Sequence, residues 1–344
     1  MQDANGCCVR APSARITSDR PPDPTRAPNQ RGRESLMFQA YHLSGELAAD
    51  EDRAQLIGKL AALKGEESLE ALEERGELAW AILLSMDQEV LQLEQACMQS
   101  SHGVAEYREC AKNLEGSREQ RAAFLKLAIP TWSALIERAP DTLWRAQTRY
   151  YLGVAMLLSG EEARGVELLS ALLSSAPDEE PYKLFAMLTL ADHLQVKGKF
   201  TQARALYLKA QLQKQSAGAK AYSAYMEGWC LASEGDLEGA MRAMLMGFER
   251  ARGNSFIQNR KSLTTAISTD ITLIYAYAGQ PASALQFYEA LGVPSALLPV
   301  ELMRLARRYE MLGKREEASV LYRALSGGSS EARERLEILE QKTP

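Results

Sequence analysis

The stretch Leu305-Ala306-Arg307-Arg308-Tyr309-Glu310-Met311-Leu312-Gly313-Lys314-Arg315-Glu316-Glu317-Ala318-Ser319-Val320-Leu321-Tyr322 decides the fold. Apolar residues recur at three- and four-residue steps on both sides of one glycine, which is the pattern of two amphipathic helices joined by a tight turn. Gly313 ends the first helix, where a left-handed cap is cheapest for a residue without Cβ. Ala306 and Ala318 are small because two antiparallel backbones must cross closely. Tyr322 is large and fills the space beside the crossing.

The same order recurs upstream at Gly160, Gly198, Gly235 and Gly279. Seven residues before each glycine stands Gly153, Ala191, Gly228 or Thr272, matching Ala306. Five after stands Gly165, Ala203, Ala240 or Ala284, matching Ala318; nine after stands Leu169, Tyr207, Met244 or Tyr288, matching Tyr322. Twelve after the five glycines stand Leu172, Ala210, Gly247, Leu291 and Leu325. Counting back from each glycine frames units at 146–179, 184–217, 221–254, 265–298 and 299–332. Pro281 opens the second helix of the fourth unit and Pro299 the first helix of the fifth, both tolerated positions. One hairpin cannot bury its own apolar face, so the units are expected to stack.

This pattern resembles the tetratricopeptide repeat (TPR), a 34-residue helix-turn-helix unit. Leu190-Ala191-x-x-Leu194-x-x-x-Gly198-Lys199-Phe200-x-x-Ala203-x-x-x-Tyr207 is the next best copy. The implied fold is all-α: a right-handed α-solenoid of stacked hairpins, with an N-terminal helical extension and a disordered tail. Glycine intervals of 38, 37, 44 and 34 and the link Ala176-Pro177-Asp178 look like repeats of bacterial outer-membrane lipoprotein assembly factors. Arg260-Lys261 entering a long helix also looks like repeat proteins of gliding-motility and envelope-transport complexes.

Outside the repeats the chain divides simply. Residues 1–34 hold five of the thirteen prolines and almost no apolar periodicity. Such a segment cannot offset its ordering entropy, so disorder is expected. Residues 35–139 form an N-terminal helical region. A short helix around Leu56, Leu60 and Leu63 ends at Lys64-Gly65, and a long one runs from Leu69 to Cys97. The acidic series Glu66, Glu67, Glu70, Glu73, Glu74 and Glu77 suits a helix N-terminus and reads as a solvated face rather than a cation site. Ser117 to Pro140 looks like an orphan second helix, in which Pro130 predicts a kink or break. Ser330 to Gln341 reads as a polar capping helix over the end of the 140–344 repeat region.

A formal net charge of −5 gives no support to a nucleic-acid or anionic-membrane partner. The longest apolar run, Leu78 to Leu84, is seven residues, far short of a membrane span, so no membrane insertion is expected. No apolar secretory stretch occupies the first thirty residues, which implies a cytoplasmic address. The envelope resemblance implies a periplasmic or envelope-associated one instead, if the true start differs. Five cysteines without a C-x-x-C pair suit a reducing compartment. Cys97 and Cys110 bridge neighbouring helices if the compartment is oxidising; otherwise they are two small buried thiols.

Nothing in the sequence assembles an active site, and no cofactor is expected. His42, His102 and His193 fall in different segments without metal spacing. Phosphate loop, dinucleotide fingerprint and nucleophile elbow are all missing. The expected function is a non-enzymatic scaffold or adaptor that binds another protein or a peptide segment. The alternative is a cytoplasmic regulatory sensor for a signalling peptide.

The TPR resemblance implies that positions 2, 5, 9 and 12 of each unit line a concave groove. Of these, Tyr150, Leu157, Phe185, Asp192, Tyr222, Tyr225, Trp229, Leu273 and Arg307 are the candidate partner-binding residues. Aromatic types are enriched at interaction hot spots, although the same residues also serve as core between units. Tyr150, Val154, Leu188 and Asp192 stand where the carboxylate-clamping TPRs carry basic or amide residues, so that specificity is not expected. Arg250, Arg252, Arg260 and Lys261 form a second candidate, a patch for an acidic partner, or else solvated charge.

Overall fold

A computed structural model describes residues 53–66, 68–99, 104–138, 145–177, 180–213, 217–253 and 260–341. Among these residues the chain is all-helical, with no strand. The tail expected over 1–34 lies outside them, as do Cys7, Cys8, His42 and His102.

Helix α1 (Arg53–Ala62) leads to the two longest helices, α2 (Leu69–Gln99) and α3 (Val104–Arg138). The break at Lys64-Gly65 is present, with Gly65 at φ +92°. Helices α2 and α3 pack side by side along their length. Near one end the Trp132 indole donates to the Gly76 carbonyl at 3.1 Å. A Cβ on Gly76 would sit 2.7 Å from the end of the Leu135 side chain, which would have to shift to admit it. Midway, Arg121 donates to Asp87 at 2.6 Å with both side chains buried. At the far end a disulfide joins Cys97 to Cys110, selecting the bridge over two free thiols.

Pro130 does not break α3. It removes the backbone donor to the carbonyl of Lys126. Both residues are exposed, so water replaces the lost bond on the solvent side. Burial of Leu125, Ala128 and Trp132 holds the other side in register. The segment expected to start at Ser117 is the second half of a 35-residue helix.

Hairpins follow: α4 (Arg145–Ser159) with α5 (Glu162–Ser175), α6 (Pro181–Val196) with α7 (Phe200–Leu212), and α8 (Ala217–Ser233) with α9 (Leu237–Arg252). Next come α10 (Arg260–Ala278), a 3-10 turn Pro281–Ser283 and the short α11 (Ala284–Ala290). Then α12 (Leu298–Met311) pairs with α13 (Arg315–Leu325), and α14 (Ser330–Gln341) packs on α13.

The small-residue crossings are physical. A Cβ on Gly228 would meet Met244 at 2.5 Å and the Ala240 carbonyl at 2.9 Å. One on Gly153 would meet Leu169 at 2.8 Å, and one on Gly165 the Gly153 carbonyl at the same distance. Gly160, Gly198, Gly235 and Gly313 adopt φ between +73° and +90°, the left-handed cap. Gly279 departs from the pattern. It lacks positive φ, and glycine is needed there because a Cβ would strike the Tyr275 ring at 2.5 Å. The Tyr275 hydroxyl meanwhile donates to the Gln280 carbonyl at 2.6 Å, so the ring folds over this turn. With Pro281 next, the fourth unit enters its second helix through a 3-10 turn instead of a direct cap.

Helix α6 is buried nearly all round, from Leu184 to Asp192. Phe185, Ala186 and Leu190 join the apolar cluster of α2 to α5, while Leu184, Met187, Leu188 and Ala191 join that of the later helices. A helix packed on both faces has little reason to be amphipathic, and α6 is not. Its start is set by Pro181 in the first turn and by the Glu180 carboxylate, which accepts from the Tyr182 N–H at 3.3 Å.

Candidate functional site: the first-helix tyrosines

The residues expected to line a groove are mostly inside the protein. Tyr150, Phe185, Asp192, Tyr222, Tyr225 and Trp229 are all buried. This corrects their reading as open contact residues. The neighbouring first helices cover the faces that the repeat framing leaves open. Leu157 and Leu273 are half-buried, and Leu157 packs over Gly165. Arg307 is exposed but paired with Glu331 of the capping helix.

The buried tyrosines do a different job: each joins one first helix to the next. The hydroxyls of Tyr150 on α4 and Thr189 on α6 lie 3.3 Å apart. Tyr222 on α8 donates to Asp192 on α6 at 2.9 Å. Tyr225, one turn further on α8, donates to Asp270 on α10. Tyr309 on α12 donates to the Gly279 carbonyl at the end of α10, at 3.3 Å. Four consecutive first-helix pairs are thus connected by a phenol.

Asp192 is the most unusual member. Tyr207, from the second helix of its own hairpin, also donates to its Oδ1, and the Gln195 amide oxygen lies 3.1 Å from the Tyr207 hydroxyl. The other carboxylate oxygen has no hydrogen-bond partner among the described residues. Desolvation raises the acid to about 7, against the two phenols, which lower it. Burial and the adjacent carboxyl push both phenols well above their ordinary value. The geometry supplies a proton-holding structural node. The thiol of Cys230 lies near this node, but it is buried and its acidity is suppressed by burial.

The basic patch is not assembled as expected. Arg250 donates to the Gln211 side chain at 2.7 Å and to the Lys220 carbonyl at 3.3 Å, tying α9 to α7 and α8. Arg252 donates to the Ala290 carbonyl at 3.1 Å and pairs with Glu249. Both are engaged within the fold, Arg250 by the neighbouring hairpins and Arg252 by the end of α11. Arg260 and Lys261 open α10, but their side chains lie outside the described residues. His193 is half-buried, and burial lowers its basicity. Among the described residues no group of three acidic, histidine or cysteine side chains converges as a metal would require, and no helix is long and apolar enough to cross a membrane.

Sequence reasoning placed Asp192 only as a groove residue and did not single out Thr189 or Asp270, the other side chains these phenols meet. Asp192 was legible as a lone acid in an apolar helix, and Asp270 likewise. Alternation of tyrosine with these acids along first helices is the signal that pairs them. Comparison with protein-family models matches none of them, and a search of the curated proteins gives no match.

Proposed function

We propose that the chain is a non-catalytic scaffold: a right-handed α-solenoid of tetratricopeptide-type hairpins that holds a partner protein or peptide segment. The observation that carries this reading is the run of phenol bonds linking each first helix to the next. Such a run stacks hairpins into an array whose surface, rather than any one pocket, is the binding feature. The tyrosines support the groove from beneath. Partner contact falls to residues around them, including Leu157, Leu273 and Arg307.

An assembly in the bacterial envelope or a motility apparatus fits this scaffold better than a cytoplasmic sensor. The Cys97–Cys110 bridge favours that choice, since structural disulfides persist in oxidising compartments. The test is capture by the immobilised full chain from separate envelope and soluble extracts, read by mass spectrometry. Envelope or secretion proteins retained from the first extract support the scaffold. A soluble signalling peptide as sole capture replaces it with the sensor. No specific capture from either rejects both.

A further inference from the structure

The far half of the α2–α3 hairpin is built apart from the rest of the chain. Its apolar cluster holds three buried residues, Val90, Cys97 and Leu114, with Leu93 and Cys110 packed on them at partial burial. All five come from α2 and α3 themselves. The cluster of the near half, around Trp80, Leu83, Leu125 and Trp132, is a separate one. Helix α1 begins beside Glu89, to which Arg53 donates at 2.6 Å, and runs from there toward the near end.

Polar ties separate the two clusters. Arg121 donates to Asp87, and Arg118 to Glu94 at 2.9 Å, with little exposure at either pair. Ser117 donates to Glu89 at 2.8 Å. Buried ion pairs return little net stability once desolvation is counted. Three buried apolar side chains give too little burial to offset the ordering of about twenty helical residues, 90–99 and 104–114. Helical segments this short are marginal in water without packing. The Cys97–Cys110 bridge joins the two helices beyond the last polar tie. It acts by removing conformations from the open tip rather than by adding contacts to the closed one.

The two sulfurs are not equally placed. Cys97 is buried, whereas Cys110 is partly exposed on α3. A reductant therefore reaches the bridge from the Cys110 side without prior unfolding. The free thiol of Cys230 is buried in the repeat region and does not compete.

We infer that the bridge is a redox-gated latch: two-electron reduction by a dithiol frees the hairpin tip, residues 90–99 and 104–114, to open while the repeat hairpins stay closed. One thiolate of the reductant attacks the Cys110 sulfur and the S–S bond breaks, the Cys97 sulfur leaving as a thiolate that takes up a proton. The second thiol of the reductant attacks the mixed disulfide, releases Cys110 as a thiol and leaves the reductant as its own disulfide. Opening bares Val90, Leu93 and Leu114. The repeat hairpins are spared because their apolar clusters share no residue with that of the tip, so the tip opens as a local unit. An oxidising compartment keeps the latch closed. This goes beyond the scaffold reading and does not depend on it.

The test is hydrogen exchange of the full chain read by mass spectrometry, oxidised and after dithiothreitol, with alkylation of the native chain alongside. Reduction should speed exchange in peptides from 90–99 and 104–114 about a hundred-fold, the factor for releasing a loop of this size, and leave α4 to α14 unchanged. Alkylation of the reduced native chain should label Cys97 and Cys110 and spare Cys230. Cys97→Ser with Cys110→Ser should exchange like the reduced chain, with or without dithiothreitol. Reoxidation of the parent chain should restore slow exchange. A bridge that resists about 10 mM dithiothreitol in the native chain overturns the inference. So does tip exchange equal in the two states, or a comparable rise across α4 to α14.

Discussion

The Tyr222 hydroxyl donates to Asp192 across 2.9 Å, joining the first helices of two successive hairpins at a point closed to water. Tyr207 reaches the same oxygen from within the hairpin. One carboxyl group therefore serves both the fold of a unit and its attachment to the next.

That placement makes stability depend on pH. The folded acid holds its proton to about pH 7, whereas unfolded it releases it near its model value of 3.8. The native state binds more protons between these values, so stability from this group is full below about pH 4 and falls as pH rises through about 7. The loss is on the order of 4 kcal/mol. Glu162 is shifted downward by Lys197 and Glu89 by Ser117, opposing the trend, but both sit near the surface where solvent screens them. Urea unfolding at several pH values should show a flatter profile for Asp192→Asn than for the parent chain.

Glycine substitutions separate close approach from turn conformation. Gly228→Ala drives a methyl group into Met244 and a backbone carbonyl and should cost about 1–3 kcal/mol or more. Gly160→Ala meets no atom within 4 Å but must hold φ +88°, costing about 1–2 kcal/mol. Gly116→Ala, inside α3 with open space around it, should gain about 0.5–1 kcal/mol. Urea midpoints at one pH test all three.

The Cys97–Cys110 bridge closes a short loop, with a sequence separation of 13. Cys97→Ser with Cys110→Ser should lose about 3 kcal/mol, the chain-entropy value for a loop of this size. A non-reduced peptide map should recover the linked pair. Dithiothreitol should lower the melting temperature of the parent chain but leave the double variant unchanged.

Asp87 and Arg121 form a buried ion pair between α2 and α3. Asp87→Asn should cost about 3–5 kcal/mol, because the guanidinium remains buried beside a neutral group. Asp87→Leu combined with Arg121→Met should recover most of that loss, as apolar replacements of buried pairs often do. Comparing the single and double variants by urea denaturation measures the difference.

Trp229→Ala tests the burial of the expected groove. As an open contact residue it would affect partner capture alone. Buried as it is, its loss should cost about 3–5 kcal/mol of stability, read by thermal denaturation.

Helix pairs, turns and crossings were legible because they are local. Gly160, Gly198, Gly235 and Gly313 end helices, and Gly153 and Gly228 sit under large partners, as spacing alone implies. The expectation failed at Gly279, where a neighbouring tyrosine ring rather than backbone conformation demands glycine. It failed at Pro130 too, because packing of the opposite face outweighed a lost hydrogen bond at the surface. The site was less legible. Tyr150, Tyr222, Tyr225 and Trp229 were read as groove residues and are buried, because whether they face solvent depends on how the next hairpin packs.

By itself the sequence determined the helices and their caps, and the small residues where backbones cross. These follow from periodicity and steric exclusion within some forty residues. Only the tertiary structure decided that the first-helix aromatics are buried and that Asp192 is shared by two hairpins. It also paired Cys97 with Cys110. The reason is that a helix's register is set along its own chain, while the environment of each face is set by helices distant in sequence. An identical carboxylate is solvated, paired or desolvated according to what packs against it.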